Sequence, residues 1–143
     1  MDAVFFHNSA LDAEPVYKGI VSDIHYSTVG NTQFEPDVNV TNFTARFTGI
    51  FESPIAGDVV LNLSGNDGFR MFIGDEQVME VWTNEYGKKM SYTLKAEKGE
   101  KYPLKIEYIQ KTGSAELNFE IGFYKPVDPV KTAAKAQDAD III

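Results

Sequence analysis

The stretch LSGNDGFRMFIGDEQVMEVW, residues 63–82, gathers side chains that can do recognition chemistry. Asn66 and Asp67 lie between two glycines in a turn-forming run, where Asn and Asp bond nearby backbone and Gly tolerates positive φ. A strand ends at Ser64, Phe69 to Ile73 forms the next, Gly74 to Gln77 turns, and Val78 to Trp82 forms a third. This places Asn66, Asp67 and Arg70 near one loop end, with Trp82 close by. An amide, a carboxylate and a guanidinium bond sugar hydroxyls, and an indole face packs on pyranose C–H groups. The same residues also fit a structural arrangement: an Asx-turn, an Arg–Asp pair and a core tryptophan.

Other chemistries find little support. The chain has no cysteine, which removes disulfides, thiolate metal sites and Cys nucleophiles. His7 and His25 have neither a helical partner nor a Cys beside them, so surface or structural roles are expected. No serine sits in a G-x-S-x-G elbow, and neither a P-loop nor GxGxxG occurs. Carboxylates are plentiful, so a pair of them does not mark a glycosidase. The sequons at Asn39, Asn42 and Asn62 read as ordinary strand and turn residues.

Charge narrows the partners. Thirteen Lys and Arg against 21 Asp and Glu give a net charge of −8, which repels phosphate backbones, so nucleic acid is not expected. Neutral ligands such as sugars and peptides fit better. No apolar stretch approaches the roughly 20 residues of a membrane helix, and MDAVFFHNSA lacks the pattern of a signal peptide. At 143 residues and 43% apolar, the chain has enough material for one globular core.

The elements that position these residues alternate with period two. Phe43, Ala45, Phe47 and Phe51 share a face, with Thr44, Arg46 and Thr48 opposite. Val59, Leu61 and Leu63 repeat the pattern, as do Phe69, Met71 and Ile73. Leu104, Ile106 and Tyr108 alternate with Lys105 and Glu107, and Leu117, Phe119, Ile121 and Phe123 with Glu116, Asn118 and Glu120. Turn residues separate these runs, as half-buried antiparallel strands of an all-β sandwich or barrel require. The first forty residues read as one strand near Val4 to Phe6, then long loops and short edge strands. After YKPVDP the pattern changes. Asp128 and Pro129 suit a helix start, VKTAAKAQDA favours helix, and Ile141 to Ile143 reads as a buried parallel strand with no partner.

Taken in order, Phe47-Thr48-Gly49, Pro54 to Gly57, Asn66-Asp67-Gly68-Phe69-Arg70, Trp82 and Tyr102 to Tyr108 resemble the PA14 domain family over about residues 4 to 124. The resemblance implies a PA14-like antiparallel β-sandwich or barrel over residues 1–125. Residues 126–143 resemble the helix and strand that resume the C-terminal α/β domain of family 3 glycoside hydrolases, some of which carry an inserted PA14 domain. The implied function is a non-catalytic module that contacts carbohydrate, a β-glucoside or oligosaccharide, and shapes access to the parent β-glucosidase-like catalytic domains or holds glycan. No catalytic residue is assigned, because the parent's nucleophile and acid/base lie in segments not present here. Asn66, Asp67, Arg70 and Trp82 are the expected sugar contacts. Alternatives are a structural or dimerisation insert without a sugar site, and a calcium-dependent adhesin-like lectin. In the adhesins an Asp-Asp pair binds calcium; here Asn66 takes the first position, one carboxylate fewer for a hard cation, so no metal or other cofactor is expected. The parent implied by the resemblance is a bacterial periplasmic or secreted enzyme.

Overall fold

A computed structural model describes residues 1–82 and 88–124. Among the described residues ten strands are formed: β1 (Asp2–Phe6), β2 (Tyr17–Ile20), β3 (His25–Ser27), β4 (Phe43–Glu52), β5 (Gly57–Asn66), β6 (Gly68–Ile73), β7 (Glu76–Val81), β8 (Lys88–Ala96), β9 (Lys101–Gln110) and β10 (Glu116–Tyr124). They build two antiparallel sheets, one of six strands in the order β2-β1-β4-β9-β6-β7 and one of four in the order β3-β10-β5-β8. No helix long and apolar enough to cross a membrane occurs among the described residues. The expected helix and Ile strand after Asp128, and the boundary at 125/126, lie outside the described residues.

The core sits between the sheets and follows the alternation. Phe43, Ala45 and Phe47 of β4 and Leu104, Ile106 and Tyr108 of β9 are buried against Val59, Leu61 and Leu63 of β5 and Leu117 of β10. Phe5 is the aromatic hub, with the rings of Tyr17, Tyr26, Phe34, Phe43 and Phe47 at centroid distances of 5.8 to 6.5 Å. Each such side chain contributes about 1.5–3 kcal/mol by leaving water. The first forty residues do supply one strand and two short edge strands, β2 and β3.

Three boundaries differ from the sequence reading. β8 was not anticipated; its inward residues Met90, Tyr92 and Leu94 are only half-buried because it is the outer strand of the smaller sheet. The third strand of the Asn-Asp-Gly region runs Glu76–Val81 and leaves Trp82 just past its end. The largest difference is at Gly65 to Gly68, where a tight turn was expected. β5 instead continues through Asn66, Asp67 alone intervenes, and β6 begins at Gly68 in the other sheet. This is a corner at which one strand changes sheets, not a hairpin. Gly65 is required there by space, since a Cβ would sit 2.4 Å from the Glu116 carbonyl oxygen.

Candidate carbohydrate site

Two groups form from the four expected residues. The first is the corner. The Asn66–Asp67 peptide bond is cis, and both residues are buried, at 7% and 6% exposure. The Asp67 amide donates to the Ile109 carbonyl (3.2 Å), while the Tyr108 hydroxyl donates to the Asn66 carbonyl. The Asn66 side-chain amide donates to the Ser114 carbonyl at 2.8 Å. One carboxylate oxygen of Asp67 accepts the amides of Lys111 (2.7 Å) and Thr112 (3.2 Å). The corner thus holds the β9–β10 turn, whose orphan amides would otherwise lack an acceptor. Burial, then the Asp67 charge, pushes the Tyr108 phenol well above its usual range, so it remains a donor.

The second group lies on the outer face of the six-stranded sheet. Phe69 and Met71 point into the core, so Arg70 points out. Its guanidinium lies over the Trp82 ring, 3.9 Å from the centroid, and its Nε donates to Glu107 at 2.7 Å. Arg46 approaches Glu107 from the other side, Nε to Oε2 at 2.9 Å. Glu107 is 4% exposed, although alternation alone puts it on the solvent face. Burial pushes its carboxyl up, but the hydrogen bonds and charges of Arg70 and Arg46 outweigh burial and hold it below its usual range. The structure therefore brings Arg70 and Trp82 together, and ties Asn66 and Asp67 to the Lys111–Ser114 turn instead. The partner of Arg70 is Glu107, not an aspartate, and Trp82 is half-buried under a guanidinium.

Sequence reasoning had left Arg46 and Glu107 without a role. Their shared outward phase was visible, but the register that joins them spans 61 residues of chain. The histidines act as pins: His7 Nε2 accepts the Asn39 amide at 3.2 Å, and His25 Nδ1 meets Asn118 Oδ1 at 3.2 Å.

Calcium takes about six to eight oxygen ligands with several carboxylates. At the corner one carboxylate is present, and it already accepts two amides, while Asn66 turns its nitrogen to Ser114. Among the described residues, no group of three or more His, Cys, Asp or Glu is poised to hold a metal. The residues present do not fit a hard cation. Elsewhere, a groove of about 510 Å³ opens between the sheets, lined by Met1, Val21, Ile24, Ile50, Phe119 and Ile121 among others.

Two antiparallel sheets joined by a one-residue corner, with the core between them and an aromatic–guanidinium pair on the outer face, define a β-sandwich. The PA14 domain profile matches residues 1–131, and the chain belongs to the PA14 domain family. A xylan 1,4-β-xylosidase from Xylanibacter ruminicola is 22% identical over 147 residues, covering all of this chain and 17% of that protein. An anti-sigma factor domain-containing protein from Clostridium clariflavum shares the fold at a TM-score of 0.74 and 22% identity, over 84% of this chain and 41% of its own. A β-glucosidase from Kluyveromyces marxianus superposes at 0.70 with 18% identity, over 94% and 18%. An epithelial adhesin A domain from Candida glabrata, solved in complex with Galβ1-3GlcNAc, superposes at 0.66 with 14% identity, over 90% and 80%. The chain thus spans about a sixth of the curated relative it matches.

Proposed function

We propose that this chain is a non-catalytic, carbohydrate-contacting module of a larger glycoside hydrolase. In that reading residues 1–125 form the module and residues 126–143 lead back into the parent's α/β domain. The observation that carries it is the half-buried Trp82 with the Arg70 guanidinium stacked on its ring, which brings an indole and a fork of donors to one place on the outer face, the groups that pyranose C–H and hydroxyl groups contact. The xylosidase and β-glucosidase relatives support a parent acting on plant-type glycosides, and the adhesin's disaccharide complex supports glycan contact on this fold. Asn66 and Asp67 act by shaping the adjacent β9–β10 turn as well as by any direct contact. The parent is a β-glucosidase-like family 3 enzyme, and the module shapes access to its pocket or holds its glycan.

Trp82 is the only tryptophan, so its fluorescence reports one place. Titration with glucose, cellobiose, laminaribiose and xylo-oligosaccharides should give a saturable change, and calorimetry, which does not depend on the tryptophan, should show the same binding lost in Trp82→Ala while the far-ultraviolet spectrum stays native. No saturable response, and unchanged substrate preference of the parent carrying Trp82→Ala, refute the reading. A second reading, contact with the rest of the parent, is favoured by Ile50, a large apolar side chain 65% exposed at the rim of a groove lined by both apolar and polar side chains. Sedimentation of the parent with and without the module tests it.

A further inference from the structure

The outer face of the six-stranded sheet carries a row of cross-strand partners that runs through every strand. Lys18 on β2 pairs with Val4 on β1, Val4 with Arg46 on β4, Arg46 with Glu107 on β9, Glu107 with Arg70 on β6, and Arg70 with Glu80 on β7. Directly opposed residues share a face of the sheet. In the next row on that face, Asp2 pairs with Thr48, Thr48 with Lys105 and Lys105 with Phe72, and the Lys105 ammonium lies 4.5 Å from the Phe72 ring centroid.

These two rows hold four cations (Lys18, Arg46, Arg70 and Lys105) against three acids (Glu107, Glu80 and Asp2). The face is locally positive on a chain whose net charge is −8. The acid at its centre is buried, and the two arginines around it remain 35% and 26% exposed. Each guanidinium contacts Glu107 through Nε, and among the described residues neither makes a hydrogen bond through its Nη groups. Fixing Nε on a shared carboxylate orients the rest of each guanidinium in advance. Planar N–H forks held in this way match carboxylates better than neutral hydroxyls do. Trp82 stacks on one of those forks and supplies an apolar edge beside it.

We propose that this face recognises acidic sugars: a uronate carboxylate sits on the outward N–H groups of Arg46 and Arg70, and its pyranose ring lies toward Trp82. The proposal rests on the carbohydrate reading above and narrows it to a ligand class. Charge complementarity argues for this occupant over a neutral glycan, since a neutral sugar leaves the excess positive charge unused. Glu80, in register beside Arg70, opposes the anion, so the face is tuned to weak binding.

The test uses the 143-residue chain. Methyl β-glucuronoside, its neutral methyl ester, xylotriose and acetate are titrated by calorimetry and by Trp82 fluorescence, at low salt and at about 0.15 M. The expected result is glucuronoside binding at least about threefold tighter than the ester, with the difference shrinking as salt rises. Arg46→Gln should erase most of that preference, and Glu80→Gln should widen it about twofold. Native circular dichroism accompanies each variant. If Arg46→Gln does not fold, Glu80→Gln decides: no gain for the acid overturns the proposal. Equal binding of acid and ester also overturns it and leaves the carbohydrate reading standing. Acetate matching the glucuronoside overturns it by reducing the face to a simple anion site. Absence of binding by every saccharide removes this proposal and the carbohydrate reading together.

Discussion

Replacing Glu107 by Gln tests the arginine–carboxylate centre most directly. The substitution keeps size and one acceptor but removes the charge that joins Arg46 and Arg70 at 2.9 and 2.7 Å. A hydrogen bond to a charged group contributes about 1.5–3 kcal/mol. Losing one partner of a fully buried ion pair costs about 3–5 kcal/mol. Here the arginines reach solvent, which discounts the upper figure, and Gln retains one bond. The expected loss at pH 7 is about 2–3 kcal/mol, or on the order of 8–12 °C in Tm for a domain of this size. The pH dependence has a definite sign. The carboxyl is held below its ordinary value in the folded protein. Its stabilisation is therefore full above the unfolded carboxylate pKa of about 4.3 and fades as pH falls from there through the folded value. Urea titrations of both proteins at steps between about pH 7 and pH 3, followed by circular dichroism, read the difference. It should be largest near neutrality and narrow in acid. A gap below about 0.5 kcal/mol at pH 7, within the noise of a surface substitution, would refute the reasoning, as would a gap that does not respond to acid.

Asp67→Ala should free the Lys111 and Thr112 amides, cost about 1–3 kcal/mol, and speed hydrogen exchange at those two positions more than at Phe47. Gly65→Ala should destabilise by about 1–3 kcal/mol, because the new Cβ meets the Glu116 backbone and not a movable side chain; an unchanged Tm would contradict the packing described. Phe5→Ala, at the aromatic hub, should cost about 3–5 kcal/mol in urea titration. Calcium in millimolar excess should leave Tm within error, whereas a site that binds it would raise Tm by mass action.

Much of the fold was legible because its signal is local. The alternation at Phe43 to Phe51 and Leu104 to Tyr108 marks which face is buried without any knowledge of neighbours, and β4 and β9 formed as read. β8 escaped notice because an outer strand buries its inner residues only in part, so KKMSYTLKA is a weak alternation of long polar and apolar side chains. The corner was misread for a different reason. Gly, Asn and Asp favour turns, yet here the ladder to β10 continues through Asn66 and only the partner sheet changes. Arg46, Glu107 and Arg70 each show the right phase, but nothing local says that β9 lies between β4 and β6. That ordering comes from pairing across tens of residues, which a single chain does not display.

The corner at Asp67 has a further consequence for how this domain can vary. β5 and β6 are separated by one residue, so the two sheets are geared to each other with no slack between them. Side chains alternate with period two, so a single residue inserted at the corner would invert the phase of everything downstream to the next turn. Phe69 and Met71 would face water and Arg70 would be driven into the core, while the opposite sheet stayed in place. Length changes should therefore be rejected at this joint and accommodated where a turn can absorb them, as at Glu97 to Glu100. The joint behaves as a phase coupling, through which the pairing of one sheet dictates which face of the other meets solvent.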